Sequence, residues 1–358
     1  MPTARLALPV LLGLTLALGA CSSQPDKNEP PFISTQTYLK SAYSPPQHFK
    51  FDSFDTRWAW GKHEVDVSLL VPHEQQNVPV IVYLPGLGEG ANGGELWRQT
   101  WADAGYAVLS VQATRDNASI YNSSNARDGA FRTIASNAFA EAPAQNRAEE
   151  VQRVIAEAAR RGKAGEAGFA ALDTQKVIIA GFDLGAQTAA ALAGERDPGQ
   201  PRAADWKPLG VILLSPYVPG GVDNRRYGQI DTPLLAITGP LDEDPFSWIA
   251  SAQQRFSLFA NLPGNGYQLT LNDATHTVLS GTIVKPKPDP KSRPANDSDG
   301  PRPGRSASPG FDVRQGGSIA AVTLAFLDAK VKQSASAQQW LDDKAKVWLE
   351  PVGTLQRK

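Results

Sequence analysis

Between Lys176 and Ala193 the chain runs from an apolar, β-branched segment (Lys176 to Ala180) through Gly181-Phe182-Asp183-Leu184-Gly185 into an alanine-rich stretch, Ala186 to Ala193. No other segment narrows the possible folds as far. The first run reads as a buried strand and the last as a helix. Five residues can join them only through a sharp turn. Glycines two places before and after the middle suit that turn, because a residue without Cβ lets strand and helix approach closely. The residue at the bend, Asp183, is then expected to stand exposed above the sheet, with the N-terminus of the following helix behind it.

The rest of the chain repeats the alternation of strand and helix. Trp58 to Leu70 reads as a strand and Pro72 to Asn77 as a turn. Val78 to Leu84 is a continuous apolar run ending at Pro85-Gly86, the pattern of a buried parallel strand. A helix over Glu95 to Ala104, a strand over Tyr106 to Val111 and a helix over Gln145 to Arg161 follow; Val151, Val154, Ile155 and Ala158 share one face of the last. Further strands are expected at Val211 to Leu214, Leu234 to Thr238 and Tyr267 to Leu271, and a helix at Ile319 to Val331. The pattern predicts an α/β domain over residues 46–334, with a mostly parallel sheet and helices on both faces. Only Ser215 to Pro233 follows the Val211 strand, which leaves no room for a large cap domain. The polar excursion 112–142 is expected to be partly helical at most and to cover a pocket with Tyr121, Phe131 and Phe139. Residues 285–310, rich in Pro, Ser, Asp, Lys and Arg, read as a disordered insertion. The tail 335–358 carries an amphipathic helix, Ala335 to Leu349, expected to pack on the domain rather than on a membrane.

Composition closes off several functions. With 41% hydrophobic and 20% charged residues, a folded core is expected. A formal net charge of −1 supplies no basic field for nucleic acid. Four scattered histidines and one cysteine offer no ligand set, so no metal is expected. The Gly86 loop lacks a phosphate-binding lysine, and no cofactor is expected. A lone cysteine also excludes an intramolecular disulfide. At the N-terminus, Arg5 precedes an apolar run, Leu6 to Ala20, too short to span a bilayer. It ends Leu18-Gly19-Ala20-Cys21-Ser22-Ser23, which resembles a bacterial lipoprotein signal over residues 1–21. That resemblance implies acylation of Cys21, several acyl chains anchoring the protein to a membrane, and residues 22–45 as a flexible tether. Ser22 after the cysteine, in place of Asp, resembles the sorting rule of Gram-negative lipoproteins, which implies the periplasmic face of the outer membrane.

The pentapeptide has the layout of a nucleophile elbow, with a carboxylate where a serine commonly stands. Together with Val80 to Gly88, Ile237-Thr238-Gly239-Pro240-Leu241-Asp242 and Ala274-Thr275-His276, it resembles the α/β-hydrolase superfamily over about residues 60 to 332. The similarity is greatest to the small-cap dienelactone hydrolase, chlorophyllase and platelet-activating-factor acetylhydrolase group. The order nucleophile, acid, histidine in those relatives implies Asp183, Asp242 and His276 here. His48, His63 and His73 all precede the first buried parallel strand, and His276 follows the last. Asp242 has Glu243 and Asp244 as rivals for orienting the imidazole. The backbone N–H groups of Leu87 and Leu184 are the expected oxyanion donors.

An aspartate at the bend changes the chemistry. A carboxylate can attack a saturated carbon, as in haloalkane dehalogenases and epoxide hydrolases, giving an alkyl-enzyme ester that a histidine-activated water cleaves. Attack on a carboxylic ester is unpromising, because a carboxylate leaves more readily than an alkoxide. The chain also departs from those Asp-nucleophile families: it has no room for the helical cap that they usually carry, and Leu184 follows the nucleophile where they typically carry Trp or another characteristic residue. Three functions remain open: a membrane-anchored hydrolase acting through Asp183, His276 and Asp242 on a small or lipid-like substrate, an inactive lipoprotein of the same fold with a binding or envelope role, or a surface interaction protein.

Overall fold

The computed structural model describes residues 34–221, 223–283 and 312–358; Cys21, the first part of the expected tether and the insertion 285–310 lie outside them. Among the described residues one sheet holds β1 (Phe51–Trp60), β2 (His63–Pro72), β3 (Val78–Leu84), β4 (Ala107–Ala113), β5 (Leu172–Phe182), β6 (Val211–Leu214), β7 (Leu234–Thr238), β8 (Gly266–Leu271) and β9 (Gly353–Arg357). Their spatial order is β1-β2-β4-β3-β5-β6-β7-β8-β9. From β4 to β8 the neighbours run parallel. At the margins β1 and β2 pair antiparallel, β2 pairs antiparallel with β4, and β9 with β8. The sheet is thus mostly parallel in its middle and mixed at both edges.

The central strands are buried on both faces because their residues are apolar in succession. Val80, Val82 and Ile179 point to one side, Ile81, Tyr83 and Ile178 to the other, as the period of two requires. Eleven α-helices accompany the sheet among the described residues: α1 (Thr35–Lys40), α2 (Glu95–Asp103), α3 (Ser124–Arg127), α4 (Phe131–Ala138), α5 (Glu141–Lys163), α6 (Leu184–Ala193), α7 (Phe256–Ala260), α8 (His276–Ser280), α9 (Val313–Lys330), α10 (Ala335–Gln339) and α11 (Ala345–Leu349). On the first face α5 brings Val151, Val154 and Ala158, and α6 an alanine row. The second face is closed by Trp97 and Trp101 of α2 and by Ile319, Val322 and Phe326 of α9. Among the described residues no helix is long and apolar enough to cross a membrane.

Three expectations need correction. The single strand Trp58 to Leu70 is a hairpin: β1 and β2 meet at Trp60 and His63, with Gly61 at φ 63° in the turn. Alternation carried through that two-residue turn and hid it. The tether was expected to reach residue 45, yet the chain is folded from Thr35. Tyr38 is buried, bonds Ser318 through its hydroxyl at 2.7 Å and stacks on Trp348 with centroids 4.5 Å apart, while Tyr43 donates to Asp328 at 2.7 Å. The tail forms α10, a π-helical turn and α11, which bury Trp340, Leu341 and Leu349, and then adds the unforeseen edge strand β9.

Candidate active site

β5 ends at Phe182 and α6 begins at Leu184, so Asp183 alone makes the turn, at φ 51° and ψ −108°. Few side-chain-bearing residues adopt such a backbone, and it costs strain that the surroundings must hold. The flanking glycines show how. A Cβ on Gly181 would lie 2.3 Å from the Gly185 carbonyl carbon, and one on Gly185 would lie 1.9 Å from the Leu84 oxygen. Only glycine fits either place. The loop after β3 sits equally close, since a Cβ on Gly86 would lie 2.7 Å from the Phe182 ring. Gln112 pins that loop by donating to the carbonyls of Gly86 and Glu89.

Asp183 is not raised into solvent as expected: the residue is 3% exposed. Leu87, Tyr121 and Phe131, from the β3 loop and the 118–138 helical stretch, help to wall a cavity of about 370 Å³ onto which its carboxylate opens. The Leu87 N–H donates to Asp183 Oδ2 at 3.3 Å. Leu184, the other expected donor, makes no such bond, and Oδ1 accepts nothing from the described residues. Burial pushes the carboxyl above its ordinary range, while the charges of His276 and Arg255 pull it back.

Asp242, on the loop after β7, and His276, the first residue of the helix after β8, come together, held side by side by a β-bridge between Leu241 and Thr275. His276 opens α8 rather than lying in a loop, and Thr275 caps that helix by accepting from the Val278 N–H. Imidazole Nδ1 lies 2.9 Å from Asp242 Oδ1. We assign the tautomer with the proton on Nδ1, because the carboxylate can only accept; Nε2 then carries the lone pair. The Phe182 ring packs against the imidazole with centroids 4.7 Å apart. Glu243 and Asp244 are not at the ring. Asp244 instead accepts the N–H groups of Phe246, Trp248 and Ile249, bracing its own turn. His276 and Asp183 line the same cavity without a hydrogen bond or ion pair between them.

Asp242 is fully buried and heavily partnered. Thr238 donates to Oδ2 at 2.8 Å, Ser215 donates to Oδ1 at 2.8 Å, and Arg255 Nε lies 3.2 Å from Oδ2. Burial alone would raise this carboxyl; the His276 hydrogen bond and the Arg255 charge outweigh it and hold the group below its ordinary range.

Three participants escaped the sequence. Ser215, at φ 52° and fully buried, places its hydroxyl 3.0 Å from His276 Nδ1 as well as on Asp242. Arg255 is buried under the pair and also donates to the Ser215 and Pro216 carbonyls. Glu89 lines the cavity, with Oε1 accepting from Thr282 at 2.6 Å and Oε2 from the Gly86 N–H at 2.9 Å. Its burial raises the carboxyl, and those two donors oppose the rise. Only the strand end at Ser215-Pro216 was visible beforehand. Of the three aromatic residues expected over the pocket, Tyr121 and Phe131 line it, whereas Phe139 stacks on Tyr217 at 4.4 Å. His48, His63 and His73 pair with Asp103, Glu150 and Asp52, none of which lines the cavity.

The arrangement offers a carboxylate with one oxygen held and one free, beside an oriented imidazole whose Nε2 has no partner among the described residues. That combination can form a covalent ester and activate water to break it. No family model matches the chain, and no curated protein matches it.

Proposed function

We propose that the protein is a lipid-anchored hydrolase of the α/β-hydrolase fold in which Asp183 is the nucleophile, His276 the base and Asp242 its orienter, acting on a small or lipid-like substrate. The observation that carries this reading is the division of labour at Asp183. Oδ2 is held by the Leu87 N–H, Oδ1 is free, and His276 shares the cavity without touching the carboxylate. A serine nucleophile needs direct contact with its base; a carboxylate does not, since the base acts on the water of the second step.

In the first step Oδ1 attacks a saturated carbon, the bond to the leaving group breaks, and that group departs with the electron pair. Nε2 of His276 then takes a proton from water, whose oxygen adds to Cγ of the ester. Negative charge gathers on Oδ2, where the Leu87 N–H meets it. Collapse expels the alcohol, which receives its proton from the imidazolium; the acid left behind carries the oxygen of water and releases that water's second proton to solvent, restoring the carboxylate. Support for the fold comes from the elbow after β5, the glycine loop after β3 and the chain order of the three residues. The membrane anchor rests on the segment around Cys21 alone.

The test is a screen of the full chain against alkyl halides, epoxides and esters, followed by a single turnover in heavy-oxygen water. One heavy oxygen in the peptide containing Asp183 is the expected result. Label found only in the product would overturn the covalent route.

The burial of Asp183 favours a second reading, in which the carboxyl is shielded from reaction and the chain binds without turnover. Asp183→Ser separates the two. Aryl-esterase activity gained by that variant, with no activity in the parent across the screen, supports a binding protein that has lost its serine.

A further inference from the structure

We infer that the cavity takes a substrate bearing a positively charged nitrogen, held by the Glu89 carboxylate and the faces of Tyr121, Phe131 and Phe246, with its reacting carbon beside Asp183 Oδ1. The inference deepens the proposed reading, and rests on it for calling the occupant a substrate.

The walls hold two carboxyls, Asp183 and Glu89, and no lysine or arginine. Arg255 pairs with neither: its charge is felt at Asp183 but not at Glu89, and it has no exposed surface and is committed to Asp242 and to the Ser215 and Pro216 carbonyls. His276 is tied through Nδ1 to Asp242. The donors on Glu89 are a hydroxyl and a backbone N–H, which fix its direction but carry no charge. A carboxylate taken from water without a cation is costly, and a ligand that brings one recovers that cost.

The rings supply the second half of the argument. Phe131 and Phe246 stand with centroids 6.4 Å apart and planes tilted by 54°. Tyr121 lies against the β3 loop so closely that a Cβ on Gly88 would fall 2.5 Å from its hydroxyl oxygen, which holds the ring in place although the residue is half exposed. Aromatic faces attract a cation and repel an anion, and a charged wall beside them favours an alkylammonium over a neutral group of the same shape. Carboxylates and phosphates are disfavoured by the same field.

The experiment is calorimetric titration of the full chain in non-ionic detergent with three probes of one shape. These are choline, dimethylbutanol (its uncharged isostere, with carbon replacing nitrogen) and the dimethylbutanoate anion. Choline should bind at least about 10-fold more tightly than dimethylbutanol, with no competition from the anion. Glu89→Gln should remove most of that preference and leave dimethylbutanol unchanged. Should Glu89→Gln fail to fold, Phe246→Leu decides, since it spares both hydrogen bonds to Glu89 and should still weaken choline more than dimethylbutanol. Equal affinity for choline and dimethylbutanol, no binding of choline, or a preference unchanged in the folded variants would each overturn the inference. Binding is read at equilibrium without turnover. Its failure therefore leaves the Asp183 chemistry standing, and a failed oxygen-labelling experiment leaves the binding result standing.

Discussion

Asp183 follows β5 and Asp242 follows β7, with β6 between the two strands; both carboxyls are buried, yet their surroundings are opposite. Asp242 has an imidazole, two hydroxyls and a guanidinium directed at its two oxygens. Asp183 has one backbone N–H. The first carboxyl is pulled below its ordinary range and the second pushed above it. Environment rather than residue type thus separates the two carboxyls, and the proposed division into an orienting group and a reacting one rests on that difference.

The contrast can be broken from either side. Asp183→Ala should lower turnover by roughly 10⁴-fold or more while the melting temperature stays near that of the parent; a residual rate within tenfold of the parent would remove Asp183 from the chemistry. His276→Gln should let the first step proceed and block the second, so intact-mass spectrometry should show the alkyl-enzyme accumulating. Asp242→Asn attacks the other half. It should cost on the order of 10³ to 10⁴ in turnover by disturbing the tautomer, and about 3–5 kcal/mol of stability in denaturant unfolding, because Arg255 loses its buried partner.

The pH dependence sharpens the comparison because the two signs differ. A carboxyl held below its ordinary value of 3.8 contributes stability that is present above that value and lost as pH falls through the lowered one. A carboxyl held above 3.8 contributes stability below that value, and loses it as pH rises through the raised one. Urea unfolding across the acid range should therefore change slope in opposite directions for Asp242→Asn and Asp183→Asn. Turnover, which needs ionised Asp183, should rise with pH through a value above 3.8. Ser215→Ala should have the smallest effect: about 1–2 kcal/mol of stability and roughly tenfold in turnover, with a displaced pH profile as the sign of a positioning role.

Much of this frame could be read from the chain. β3, β4, β6, β7 and β8 announce themselves because strands buried on both faces must be apolar throughout. β9 does not: Gly353-Thr354-Leu355-Gln356-Arg357 has one large apolar residue and exists through its ladder with β8. The bend at Asp183 was legible because glycine spacing is a local constraint. Its burial was not: the cover by Tyr121 and Phe131 was expected, but how closely the Leu87 loop lies over the bend depends on the assembled sheet. Ser215, Arg255 and Glu89 were invisible for the same reason. Each acts through partners brought close only by the finished sheet, as when Glu89 meets Thr282 across 193 positions of sequence.

The glycines at 181 and 185 carry a last consequence. They fix where the backbone reverses without reference to the side chain between them. Exchanging one small polar group for another at that point would leave strand and helix undisturbed while replacing the reagent presented to whatever occupies the pocket. The hinge thus separates the shape of the turn from the chemistry that it presents.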